Sequence, residues 1–214
     1  LNKIRKGFGM ERIFDYRFFD SEGRETKYAD VLASCVNAEV LLFGELHGHP
    51  VVHRLQREIT KELFDIRKGK IVLGAEMFEA DDQLVLDEYL ADLIKPEHLI
   101  QESKVWENYE TDYRPLVDFA REHKLRFVAT NIPRRYANLV ARKGMRALEL
   151  LSDDAKRSMA RLPIVVDLST PGYRTMMEMG AAHVMHMNSE NFVAAQAVKD
   201  ATMAYLIMRI RQEV

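Results

Sequence analysis

The chain lacks most of the features that would place it at once in a protein class. It has one cysteine, Cys35, in 214 residues, so no disulfide can form within a single chain. No run approaches the roughly 20 apolar residues that a membrane-spanning helix needs. Lys and Arg number 31 against 33 Asp and Glu, and the net charge of −2 provides no general attraction to nucleic acid. We therefore expect no nucleic-acid partner.

Internal repeats, low-complexity tracts and Pro/Gly/Ser-rich linkers are also missing from the sequence. This favours one continuous structure, which we divide at a soft boundary into an α/β sheet domain (1–144) and a mainly helical region (145–214). The chain starts at Leu1 rather than at methionine. A long helix is predicted from residue 188 to the last residue, Val214. We expect a processed or trimmed start and a final strand beyond the end.

Three short apolar runs, at 39–44, 71–75 and 125–129, are typical of buried strands in a parallel sheet. Between them, residues 51–65, 81–93 and 113–123 carry apolar side chains at helical spacing. The order is βαβαβ, which predicts an α/β fold in which helices flank a parallel β-sheet through right-handed crossovers.

Both ends of the chain add smaller elements to this plan. Residues 12–19 alternate in polarity before the turn sequence at 20–23, which predicts an N-terminal hairpin. After Pro133 the patterns at 134–151, 153–162 and 171 onward are helical, with Ser152 and Ser169 or Thr170 as plausible caps. We expect a smaller α-helical domain packed on the carboxyl edge of the sheet.

Chemically active side chains follow the predicted strands. Glu45 and His47 come directly after the first strand, and His49 and His53 surround Pro50, which suits the first position of a helix. Glu76 follows the second strand. Because ligands in open α/β sheets bind beyond the carboxyl ends of the strands, these residues suit a metal, a proton relay or a hydrogen-bonded cofactor. The other reading is that Glu45 caps or pairs with a helix end and the histidines are ordinary surface groups.

Two further segments carry candidate ligands. Arg134 and Arg135 follow the third strand and could hold carboxylates, or they could simply be solvated. In the helix from residue 171, Tyr173, Met177 and Gly180 share one face with Val184. A phenol in the first turn gains from the helix dipole, which favours the phenolate that ligates ferric haem in some proteins. A methionine stripe can equally serve core packing or an oligomer interface.

Several motifs occur in a characteristic order along the chain. They are Gly44-Glu45-Leu46-His47, Gly74-Ala75-Glu76-Met77-Phe78 with Gln83, Trp106 with Tyr113-Arg114-Pro115-Leu116, Asn131-Ile132-Pro133-Arg134, and Asn191-Phe192 with Ala195-Gln196, Lys199-Asp200 and Met203-Ala204. Over roughly residues 12–210 this pattern resembles the ChaN-type haem-binding uptake lipoproteins. Their relatives, the Tiki proteases and erythromycin esterases, share the Gly-Glu-x-His opening, which therefore indicates the superfamily rather than haem.

The resemblance implies a haem carrier in iron uptake, with haem held at a homodimer interface by a tyrosine. Tyr173 is the ligand that it suggests, and Tyr136 is the second candidate. Propionate contacts fall to Lys199, to His183 or His186, and to Arg134. The resemblance also implies a lipid-anchored or periplasmic place in the bacterial cell envelope and an outer-membrane haem receptor as partner. Family members continue into a further strand with a second glycine-and-histidine motif, which this sequence does not reach.

Two other functions stay open at this point. In the first, Glu45, His47 and Glu76 bind a divalent metal ion or act as general base in a metal-dependent hydrolase. In the second, the methionine-rich helices form an interaction module. We favour the carrier, because the later motifs match the haem-binding branch and no nucleophilic Ser or Cys stands at a strand end.

Overall fold

The computed structural model describes residues 16–183 and 189–213 of the chain. These residues divide between two compact units, Leu1–Lys68 and Gly69–Val214, which are described separately below. The boundary predicted between residues 144 and 145 falls inside the second unit. Residues 12–15 of the predicted hairpin lie outside the described residues.

The first unit contains the predicted hairpin and two helices. Strands β1 (Phe18–Phe19) and β2 (Glu25–Thr26) pair antiparallel. The Asp20 carboxylate closes the turn by accepting hydrogen bonds from the backbone N–H groups of Glu22 and Arg24, both at 2.9 Å. Helix α1 (Tyr28–Asn37) and helix α2 (Pro50–Ile66) follow. The hairpin and the second helix confirm the sequence predictions.

The strand predicted at 39–44 does not form in the structure. Residues 41–46 have no regular structure, and Leu42 and Leu46 are 75% and 70% exposed. An apolar run becomes a strand only when a neighbouring strand takes up its backbone hydrogen bonds. Among the described residues the paired strands are β1 with β2 and β3 with β4, so this run has no such neighbour and the prediction is wrong.

The second unit is built on a small parallel sheet, as predicted. Strands β3 (Leu73–Glu79) and β4 (Phe127–Asn131) pair from Leu73↔Phe127 to Glu79↔Asn131, with an irregularity between Ala75 and Glu79. Both strands begin and end later than the sequence pattern indicated. Glu76 therefore lies within β3 instead of after it.

Helices of mixed length connect and cover these strands. They are a 3₁₀ turn Ala80–Asp82, α3 (Gln83–Leu90), α4 (Pro96–Glu102), a π-helical turn Tyr109–Tyr113, α5 (Arg114–Glu122), α6 (Arg134–Lys143), a 3₁₀ helix Met145–Leu150, α7 (Asp153–Lys156), α8 (Pro171–His183) and α9 (Ser189–Glu213). The crossover from β3 to β4 is helical, and the region after Pro133 is predominantly helical. The mixed α/β fold class is confirmed.

Two of the helices predicted after Pro133 are much shorter than the sequence pattern indicated. Gly144 ends α6 with φ +78°, a conformation that is strained for residues with a side chain, and so divides the helix expected at 134–151. Of the helix expected at 153–162 only α7 forms. It is capped as predicted by Ser152, whose Oγ accepts a hydrogen bond from the backbone N–H of Ala155 at 3.3 Å.

Two groups of buried side chains hold the second unit together. Phe78 packs edge-on against Tyr109 and Phe127, with ring centroids 6.1 Å apart in each case. A second apolar cluster joins the end of β4 with α6, the following 3₁₀ helix and α9; its buried members are Ile132, Ala137, Val140, Leu148, Met159, Ala195 and Val198. These contacts fix α9 beside the carboxyl end of β4.

Candidate functional site

The carboxylate of Glu45 is the centre of a polar cluster in the first unit. Its Oε1 lies 2.8 Å from Nδ1 of His47, and its Oε2 accepts a hydrogen bond from Nε2 of Gln56 at 2.7 Å. Nδ1 of His53 is 3.7 Å from the same Oε2 and 3.1 Å from Oε1 of Gln56. The structure thus joins Glu45 and His47, as the sequence predicted, although the backbone there is not a strand.

The cluster passes from the interior to the surface. The side chain of His53 is 4% exposed, that of Glu45 15% and that of His47 58%. Sequence analysis did not identify Gln56. The one feature that could have indicated it is its position three residues after His53 on α2, which places both side chains on the same helix face. His49 is exposed and precedes α2 without a side-chain capping bond. This arrangement places a hydrogen bond between a shielded carboxylate and an exposed imidazole.

A metal centre receives no support in the part of the chain that the structure describes. There, no group of three or more His, Cys, Asp or Glu side chains could hold a metal ion. Glu45 and His47 instead bond directly to each other. Glu76 belongs to the second unit, and its combination with these two residues stays a prediction.

A cleft of about 80 Å³ lies at the carboxyl ends of β3 and β4. This is the edge at which open α/β sheets bind ligands. The cleft brings together three residues that the sequence singled out, Glu76, Arg134 and Lys199. The other lining residues are Met77, Glu79, Lys104, Trp106, Asn131 and Ile132.

The cleft carries three cationic side chains and two carboxylates. Oε1 of Glu79 lies 3.9 Å from Nε of Arg134. Nδ2 of Asn131 donates a hydrogen bond to the carbonyl oxygen of Glu76 at 3.2 Å. Lys104, which sequence analysis missed, adopts a left-handed backbone conformation with φ +44° just after α4. The excess of cations favours a small anionic group such as a carboxylate.

The acidic residues beside this cleft give a pH-dependent stability. Burial, reinforced by Asp81 and Glu79, raises the pKa of Asp82 to about 6. Since the carboxyl pKa in the unfolded chain is about 4, the folded state binds more protons between these two values, and stability falls as pH rises from about 4 to about 6.

We expect Asp82→Asn to remove this fall and to raise the free energy of unfolding near pH 7 by about 1 kcal/mol, after allowance for solvent screening. Urea unfolding of both proteins at a series of pH values measures the difference. Parallel pH profiles for the two proteins would contradict the assignment.

Tyr173 lies in the first turns of α8 and is half-buried. Its hydroxyl donates to Oδ2 of Asp200 at 2.8 Å, and Nε2 of Gln196 donates to Oδ1 of the same carboxylate at 2.9 Å. Burial, together with the Asp200 carboxylate, raises the pKa of Tyr173 to about 12. The helix dipole therefore does not make the free phenolate the favoured form, contrary to the sequence-based expectation.

The other candidate residues are dispersed. Tyr136 on α6 is half-buried, and its hydroxyl accepts a hydrogen bond from Nη2 of Arg135 at 3.2 Å. Nη2 of Arg135 also lies 2.7 Å from Oδ2 of Asp81, so Arg135 is not simply solvated. His183 is the last residue of α8, and its side chain is not among those described. His186, like Val184, lies outside the described residues.

Comparison with known proteins decides the family. The model of the family described as "Haem-binding uptake, Tiki superfamily, ChaN" matches residues 31–213. The chain belongs to this family. A comparison with curated proteins finds no match.

A solved structure supports the fold of this ChaN-family chain. The structure described as "Cofacial heme binding to ChaN of Campylobacter jejuni" aligns with a TM-score of 0.62 and 17% identity, over 86% of this chain and 71% of that one. At this identity the likeness shows the fold. The match of the family model confirms the family resemblance drawn from the sequence motifs. In the part of the ChaN-family chain that the structure describes, no helix is both long and apolar enough to cross a membrane.

The Asp200 contact can be tested by a change that removes one charge. In Asp200→Asn we expect the pKa of Tyr173 to fall, because the carboxylate that accepts the phenolic hydrogen and repels the phenolate is gone. It should stay above the ordinary value of about 10, because the phenol remains partly buried. Ultraviolet titration of tyrosinate absorbance, with Tyr173→Phe identifying the signal, measures this change. An unaltered titration in Asp200→Asn would contradict the contact.

Proposed function

We propose that the chain is a haem-binding protein of haem uptake and that Tyr173 ligates the ferric iron. The match of the ChaN family model to residues 31–213 carries the proposal. The geometry supports the ligand, because the Tyr173 phenol combines partial exposure with a carboxylate that can accept its proton. Met176 and Met177, both half-buried in the same helix, add polarisable surface suited to a flat aromatic group.

The residues near Tyr173 fit the chemistry of haem. Ferric haem offers an iron atom that takes an anionic oxygen ligand, and it carries propionate carboxylates. Asp200 accepts the hydrogen bond of the Tyr173 hydroxyl at its Oδ2, and Lys199, the preceding residue of α9, lines the cationic cleft. Lys199 and Arg134, which line the cationic cleft together, are the propionate contacts that we propose. His183 and His186 stay candidates from the family resemblance, and Tyr136 stays the second candidate ligand.

We propose a homodimer as the binding form. The cleft lined by Lys199 and Arg134 measures about 80 Å³. Pockets that enclose drug-sized ligands measure roughly 300–1,000 Å³. The cleft is thus large enough for a propionate group but not for a porphyrin. A ring held on the surface of α8 would leave one face in water unless a second copy covered it.

In this proposal the protein carries haem and catalyses no reaction. The Glu45 cluster then serves the structure of the first unit, with Glu45 joining the segment before α2 to the helix through Gln56. From the family's role in uptake we propose that the protein is located in the bacterial cell envelope, with a lipid anchor or in the periplasm. We propose an outer-membrane haem receptor as its partner.

The mass of the protein in solution tests the dimer. Light scattering after size exclusion, at increasing haem-to-protein ratios, should show a shift from monomer to dimer that saturates with haem. Tyr173→Phe should remain a monomer at the same ratios. A wild-type mass that does not respond to haem, while haem coelutes with the protein, would contradict the dimer but leave haem binding intact.

A further inference from the structure

A groove outside the proposed haem site lies between the segment after α7 and the C-terminal part of α9. Its volume is about 330 Å³, within the roughly 300–1,000 Å³ of small-molecule pockets. Four cationic side chains line it, and Asp153 is the one carboxylate among the lining residues. The cations are Lys156, Arg157, Arg161 and Arg209.

The positive charge of the groove is local and largely uncompensated. The whole chain has a net charge of −2, so the groove does not reflect a generally basic protein. Arg157 pairs with Asp154 at 2.8 Å, but both side chains are more than three-quarters exposed, and such surface pairs are weak. Among residues 16–183 and 189–213, the structure shows no ion pair to Arg161 or Arg209.

Lys156 also has no ion-pair partner in the part of the chain that the structure describes. Its Nζ donates a hydrogen bond to the carbonyl oxygen of Glu149 at 2.9 Å. A carbonyl group neutralises no charge, and the ammonium has two further N–H donors. The groove therefore offers hydrogen-bond donors and positive charge to an anion.

The backbone of the groove is held in place by the core beneath it. Met159, between Arg157 and Arg161, is 1% exposed and belongs to the apolar cluster of α6 and α9. The next residue, Ala160, donates its backbone N–H to Oγ1 of Thr202 on α9 at 3.2 Å, and Thr202 is fully buried. An anion binding here would have little backbone to order, which lowers the cost of binding.

We propose that this groove binds the phosphate group of a ligand. Guanidinium groups match phosphate oxygens with paired N–H donors, and three of the four cations are arginines. Tyr205 adds an aromatic wall, and the guanidinium of Arg209 lies 5.9 Å from its ring centroid. The same chemistry would recognise a free phosphorylated molecule or a phospholipid headgroup. It involves none of the residues proposed to hold haem.

Titration of the full chain with inorganic pyrophosphate, followed by calorimetry, tests the proposal. In parallel, flotation assays use vesicles of phosphatidylcholine with and without phosphatidylglycerol. The double variant R161Q/R209Q should lose about tenfold or more in affinity, because it removes two of the guanidinium groups that can pair N–H donors with phosphate oxygens. R161K/R209K, which keeps the charge without the paired donors, should lose less.

The control is R146Q, which removes one exposed arginine that does not line the groove. Saturable pyrophosphate binding that is lost in R161Q/R209Q and kept in R146Q supports a soluble ligand. Binding to vesicles with phosphatidylglycerol but not to pyrophosphate, again lost in R161Q/R209Q and kept in R146Q, supports a phospholipid headgroup. Equal losses in R146Q and R161Q/R209Q, or no saturable binding to either probe, would overturn the proposal. Far-ultraviolet circular dichroism confirms that each variant is folded.

Discussion

Replacing Tyr173 by phenylalanine should weaken ferric haem binding by ~100-fold or more and alter the Soret band of any haem that still binds. The change removes one oxygen atom and leaves the ring. Tyr173 is half-buried on α8, and phenylalanine keeps its ring, so the packing of the ring should be preserved. The hydrogen bond to Asp200 is lost together with the oxygen. The loss of haem affinity would therefore report iron ligation. Absorbance titrations with ferric haem measure both the affinity and the band.

Tyr136→Phe is the matched control for this prediction. Tyr136 is also half-buried, on α6, and its hydroxyl bonds Arg135. If Tyr173 is the ligand, Tyr136→Phe should bind haem like the wild type. Loss of haem binding in Tyr136→Phe but not in Tyr173→Phe would identify Tyr136 as the ligand, and haem binding itself would not be contradicted. Wild-type affinity and spectrum in both variants would contradict tyrosine ligation.

Truncation of Phe78 to alanine should lower the free energy of unfolding by about 3–5 kcal/mol. Phe78 on β3 has no exposed surface, and its ring packs edge-on against Tyr109 and Phe127. The variant leaves a cavity between the sheet and the π-helical turn and removes two aromatic contacts. Urea unfolding followed by circular dichroism measures the loss.

Phe192→Ala is the control for this change. Phe192 on α9 is 41% exposed, so its truncation removes the same atoms with less loss of burial. We expect a cost of about 1 kcal/mol or less. Similar losses in the two variants would contradict the buried position of Phe78 in the core.

The fold was predictable wherever the sequence pattern depends on local structure. The strands β3 and β4 are visible in the sequence as short apolar runs, because strands of a covered parallel sheet are buried on both faces. Helix α2 is visible because burial on one face imposes a helical period. The run at 39–44 is similarly apolar but has no strand partner among the described residues, and apolar composition alone does not supply one. The interruption of the helix after Lys143 comes from Gly144, whose positive φ ends α6. A glycine after Arg142 and Lys143 is a helix-end signal, and the helix predicted at 134–151 runs past it.

The candidate site was predictable in part. The contact of Glu45 with His47 follows from two polar residues close together in an apolar segment. The Asp200 partner of Tyr173 comes from another helix, and its effect on the phenol reverses the expectation drawn from the helix dipole. Lys104 enters the cationic cleft from the turn after α4. Such contacts arise from tertiary packing, for which a single sequence provides no period or spacing.

A titration of the purified wild-type chain with ferric haem, followed by absorbance, tests the central claim most directly. The account predicts a saturable Soret shift that free haem in the same buffer does not show. The absence of any saturable shift, with zinc or manganese found tightly bound by elemental analysis, would contradict the haem carrier and favour a metal-dependent function.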